Sequence, residues 1–170
     1  MSAALFNHTI NEWINCLDKY DFIELCTRPS EKAWSLAQVY MHILDESDYH
    51  IEQIKACIAS NDNAEKQPSA AAQQMLANND FPDEAIDGPF TNIPIPFPPD
   101  KEYLRHRLIR LQENIDALST TIEKTSFSGK TRHPGLHYFN APQWLQFAEM
   151  HFRHHLRQKN RLEEFLKSRK

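Results

Sequence analysis

Apolar residues recur along this chain at spacings of three and four, the period of an amphipathic helix, in four segments. The first runs from about Ala3 to Tyr20, with Leu5, Phe6, Ile10, Trp13, Ile14 and Leu17 on one stripe. The second opens near Ser30-Glu31-Lys32-Ala33 and runs to about Ala59, with Leu36, Val39, Tyr40, Ile43, Ser47, Ile51, Ile54 and Ile58 in line. The third begins near Asp100 and reaches about Lys124, carrying Tyr103, Leu104, Leu108, Leu111, Ile115 and Leu118. Asn140-Ala141-Pro142 reads as an N-cap with proline in the first turn, and starts a fourth helix ending near Lys167.

The segments between them are polar or rich in proline. A short helical piece is expected near Ala70–Ala77, and Gly129 to Asn140 is expected to be a loop. Six of the ten prolines fall between Phe81 and Pro99. The run Pro94-Ile95-Pro96-Phe97-Pro98-Pro99 forces extended backbone and is incompatible with helix interior. No segment alternates as a strand does, except Asn92–Phe97, which its prolines spoil. The pattern predicts an all-α fold: a four-helix bundle over residues 1–170, one domain, with a long proline-rich crossover between the second and third helices.

Composition narrows the function. A length of 170 residues is enough for one hydrophobic core. The net charge is −4 with both signs interspersed, so no basic face supports nucleic-acid binding. No run reaches the roughly 20 apolar residues of a membrane span, and the N-terminus lacks the pattern of a signal peptide. The three cysteines, Cys16, Cys26 and Cys57, have no C-x-x-C spacing. That argues against a disulfide framework and for a reducing cytoplasm, with Cys16 and Cys57 as core or boundary residues. No glycine-rich phosphate loop is present.

Nine histidines remain to be explained. His151 and His155 are four residues apart and stack one turn apart on a helix. They share a stripe with Trp144, Phe147, Ala148, Leu162, Phe165 and Leu166, the middle of the buried face. Two buried imidazoles need partners: either a shared divalent ion supplies them, or both are core histidines bonded to backbone or to acids on facing helices. His154 lies to the side of the stripe, as an outer support or a surface group. Gln158 lies close to it and is placed to hydrogen-bond a ligand or substrate. A third ligand must come from another helix. On the second helix, His50 lies inside the apolar stripe and His42 at its edge, so helical geometry alone favours His50.

Trp34-Ser35-Leu36-Ala37-Gln38-Val39-Tyr40-Met41-His42-Ile43 resembles the second-helix motif of the DinB-like (YfiT-like) superfamily, in which a tryptophan precedes the ligand histidine by eight residues. His133-Pro134, Trp144 and the His151-x-x-His154-His155-x-x-Gln158 run resemble its C-terminal motif. The resemblance implies an up-down four-helix bundle with a long connection between the second and third helices, and a divalent ion, often zinc or nickel, on His42, His151 and His155. His50 then becomes a core or boundary histidine. Relatives often carry glycine where this chain has His137; that residue is expected at the surface or at the mouth of the site.

The superfamily includes transferases and isomerases that use low-molecular-weight thiols. The resemblance therefore implies a metal-dependent transferase or hydrolase acting on a small molecule, with a low-molecular-weight thiol as partner. The alternative is a non-catalytic metal-binding bundle, or a structural or interaction helical bundle with no metal. Asp45, Glu46 and Glu149 read first as solvated acids. Glu46, one turn after His42, is the one placed to serve as a catalytic base. Apolar residues exposed on the first and third helices fit a homodimer.

Overall fold

A computed structural model describes residues 3–81 and 94–169. Residues 82–93, the middle of the expected crossover, lie outside the described residues.

Six helices and one short hairpin follow one another: α1 (Ala3–Asp18), α2 (Phe22–Cys26), α3 (Leu36–Cys57), α4 (Ala70–Asn78), α5 (Lys101–Lys124), β1 (Lys130–His133), β2 (His137–Asn140) and α6 (Ala141–Lys167). The four predicted helices are α1, α3, α5 and α6, and the predicted short piece is α4. Apart from the hairpin, the described residues form an all-α fold.

Local chemistry sets the boundaries. Asn140 accepts from the backbone N–H of Gln143, whose side chain returns the bond, and Pro142 follows in the first turn. The second predicted helix starts later than Ser30. Residues 30–34 form a turn, and the helix begins after Ser35. Ser35 has Gln38 three residues on to close a reciprocal capping box, whereas Ser30 has Ala33 there.

Side-chain pairs give the helix directions. Asn7 bonds Asp116 and Asn11 bonds Gln112, so α1 and α5 are antiparallel. Thr9 bonds Glu149 and Lys19 pairs with Glu163, so α1 and α6 are parallel. His42 meets His155 while His50 meets Phe147, so α3 and α6 are antiparallel. The chain thus runs up, down, down, up. Because α3 and α5 are parallel, their connection must travel back along the bundle. A 22-residue α3 spans roughly 33 Å, which is why this connection is long. Its described first part includes α4 and lies along α6: Gln146 Nε2 donates to the carbonyl of Leu76, and Arg153 to that of Asn79. The proline-rich end caps α3, with Gln38 Nε2 donating to the Ile95 carbonyl at 2.7 Å.

Phe6, Trp13, Tyr40, Trp144 and Phe152 are fully buried between the four long helices. Trp13 meets Tyr40 edge-on at 5.0 Å between ring centroids, and the Tyr40 hydroxyl donates to the Trp13 carbonyl. Each such ring removes roughly 150–250 Å² from water. Cys16 and Cys57 are buried and free. No helix among the described residues is long and apolar enough to cross a membrane.

Two expectations are corrected. The segment from Gly129 to Asn140 holds a hairpin, pairing Lys130 with Asn140 through His133 with His137. Its first strand, Lys-Thr-Arg-His, has no apolar alternation and is invisible to a pattern reading. Glu149 is not a solvated acid; it is fully buried, accepting from the Thr9 hydroxyl at 3.0 Å and from Arg153.

Candidate metal centre

The long α3 and α6 run side by side, and their antiparallel sense brings the first turns of α3 against the middle of α6. His42 from α3 meets His151 and His155 from α6 there. The ring centroids are 5.0 Å apart for His42–His151, 4.8 Å for His42–His155 and 4.7 Å for His151–His155. One ring nitrogen from each lies within 4.8 Å of the others.

The α6 pair is closest: Nε2 of His155 and Nε2 of His151 are 3.2 Å apart. Two imidazoles on one tetrahedral zinc ion, each at about 2.0–2.1 Å, have nitrogens about 3.3 Å apart. The pair already has that spacing, and the His42 nitrogen lies within 4.8 Å of both. On the far side of its ring, Nδ1–H of His155 donates to Oε1 of Gln158 at 2.9 Å. An amide oxygen only accepts, so this bond keeps the proton on Nδ1 and leaves the Nε2 lone pair for a metal. Nδ1 of His151 is buried and has no hydrogen-bond partner among the described residues. The donor set fits a divalent cation.

Electrostatics agree. Burial pushes His42 down to about 4, partly opposed by Asp45. Burial, then the neighbouring His42, brings His155 to about 4. His151 is lowered well below its usual range by burial first and His155 second. All three are therefore neutral at pH 7, the form that ligates metals.

The surroundings are aromatic. Trp34, in the turn before α3, packs on His42 with ring centroids 5.2 Å apart. Phe81, where the crossover leaves α4, lies 6.4 Å from His151 and 5.3 Å from His154, forming a wall beside the site. His154 stays outside the trio and is lowered mainly by its partial burial. His50 is buried and also outside it, its ring 5.5 Å from Trp144 and 5.3 Å from Phe147. Burial brings it to about 3. Glu46 is half-buried, with Oε2 3.9 Å from His50 Nε2, and its carboxyl is raised by burial and then by Asp45. His133, on the hairpin, stacks 5.4 Å from Trp144. His137 is exposed, with φ of 68°.

A cleft of about 520 Å³ opens beside the histidines, between the turn before α3 and the last turns of α6. Trp34 and Gln158, which touch His42 and His155, form part of its wall. Pattern reading missed Phe81 and the cleft, since both depend on irregular segments that carry no periodic signal.

A family model described as the DinB superfamily matches residues 5–158, a span that includes all three histidines and ends at Gln158. No curated protein and no solved structure matches the chain.

Proposed function

This chain belongs to the DinB superfamily, and on that premise we propose that it binds a divalent metal ion on His42, His151 and His155 and acts as a metal-dependent enzyme, a thiol-dependent transferase or a hydrolase of a small molecule. The convergence of the three ring nitrogens within 4.8 Å carries this reading. Zinc and nickel both suit an all-imidazole site.

Three protein ligands leave positions for water or substrate, as catalytic sites do. A bound ion supplies Lewis acidity, enough to favour hydroxide from water or thiolate from a thiol near neutral pH. The chain's own residues do the rest. Gln158 holds His155 in the tautomer that presents Nε2. Trp34 fixes the plane of His42. Phe81 and His154 screen the outer side of the pair from water. Glu46, one turn beyond His42 and raised by burial, is the proposed proton acceptor. The three free cysteines suit a cytoplasmic setting. Leu5 on α1 and Ile109 on α5, each about two-fifths exposed, are proposed to lie in a homodimer interface.

Metal content by inductively coupled plasma mass spectrometry tests the site. Near-stoichiometric zinc or nickel is expected in the wild type and in His50→Ala, with loss in His42→Ala and His151→Ala. Wild type that stays empty after incubation with both metals would overturn the proposal. Metal retained with no turnover of thiol or hydrolysable substrates would leave the ion a structural role.

A further inference from the structure

The cleft beside the histidines has a composition that selects a ligand. Trp34, Leu162 and Phe165 give it an apolar floor, and Lys32 and Arg161 stand among its lining residues. None of the described lining residues is acidic. Neighbouring cations on α6 are already engaged: Lys159 with Glu163, and Arg153 with Glu149 and Asp80. Lys32 and Arg161 are exposed and have no ion-pair partner among the described residues. Two uncommitted cations over an aromatic and aliphatic floor match an anion with an apolar body.

We propose that this cleft binds a small organic carboxylate, its carboxylate on Arg161 and Lys32 and its apolar body on Trp34, Leu162 and Phe165. This deepens the metal-enzyme reading by naming the substrate class. A guanidinium offers a carboxylate two parallel N–H donors, which fixes orientation as well as affinity. A volume of about 520 Å³ lies within the range of small-molecule sites. The wall made by Trp34 and Gln158 puts such a ligand one side chain away from His42 and His155, so its far end is directed to the candidate metal centre.

Phenylacetate and its uncharged counterpart phenylacetamide are the probes. Each is titrated into the full chain, zinc-loaded and chelator-treated, with binding followed through the Trp34 indole N–H and the amides of residues 158–165 by nuclear magnetic resonance. Phenylacetate is expected to give saturable shifts there, with phenylacetamide at least about fivefold weaker. Lys32→Gln/Arg161→Gln is expected to weaken phenylacetate by about fivefold or more and phenylacetamide hardly at all, because only the charged contact is lost. Absence of saturable shifts, equal binding of acid and amide, or indifference to the double substitution would overturn the proposal. Zinc content measured on the same samples separates the two readings. An empty wild type with acid-selective binding retires the metal and keeps the cleft; a zinc-loaded protein without that selectivity does the reverse.

Discussion

Acidification from pH 7 to pH 5.5 is expected to leave zinc affinity nearly unchanged. Histidines titrating at their ordinary value of about 6.5 are about three-quarters neutral at pH 7 and about one-tenth neutral at pH 5.5. A site of three such ligands would lose affinity by about 500-fold, the cube of that ratio. Here His42 and His155 are held at about 4 and His151 well below its usual range, all chiefly by burial. More than about nine-tenths of His42 and of His155 remains neutral at pH 5.5, and His151 is shifted in the same direction. Even with each value a full unit higher, the loss stays within about threefold. The assay is competition with a chelator whose own proton dependence is known, at both pH values, with circular dichroism showing the metal-free protein folded throughout. A loss of 50-fold or more would refute the reasoning: the imidazoles would then be titrating as solvated groups, and the site would be open to water.

The same shifts predict the stability of the metal-free protein. His42 and His155 take up protons near 6.5 in the unfolded chain and near 4 in the folded one, so the unfolded state binds more protons between those values. Stability is full above pH 6.5 and falls as pH drops toward 4, by up to about 3 kcal/mol per histidine, measurable as a urea midpoint falling across that window. Glu149→Ala strips the buried partner from Thr9 and Arg153 and is expected to cost about 2–3 kcal/mol in urea unfolding. A cost below about 0.5 kcal/mol would mean that this network contributes nothing net. Gly129→Ala sets a Cβ 2.6 Å from the Ser60 carbonyl oxygen, a backbone atom with no rotamer to escape by. Destabilisation of about 1–3 kcal/mol is expected by the same measurement. His137→Gly relieves a left-handed backbone position, with φ of 68°, and is expected to raise stability by about 0.5–1 kcal/mol; a decrease would show that the side chain is held by contacts of its own.

Much of the bundle was legible. Phe6, Ile10, Trp13 and Leu17, like Leu104, Leu108, Leu111 and Ile115, recur at helical spacing and are all buried. Asn140 with Pro142 marked the start of α6. The start of α3 was misread because Ser30 and Ser35 both look like caps, and only the reciprocal Gln38 separates them. The hairpin left no signal, since a half-buried four-residue strand held by Trp144 and Thr131 needs no apolar alternation. Glu149 was misjudged because a helix wheel assumes a single buried face. Between α1 and α3, α6 buries two flanks, one with Phe152 and Glu149 and the other with Trp144 and the histidines.

By itself the sequence determined four amphipathic helices, the lack of a basic face and the i, i+4 histidine pair, because each is set by residues close together in the chain. Helical geometry alone could not pick the α3 histidine that joins that pair; the family resemblance points to His42, and the fold supplies the physical reason. His42 and His50 are about two turns apart, and a wheel ranks His50 first because it lies inside the apolar stripe while His42 lies at its edge. The antiparallel stagger of α3 on α6 instead sets His42 opposite His151 and His155 and leaves His50 facing Trp144 and Phe147. Stagger arises from the packing of two whole helices, a long-range quantity that no local period encodes. The cleft has the same origin: Lys32 and Arg161 are separated by most of the chain, and only the folded bundle puts them over one apolar floor.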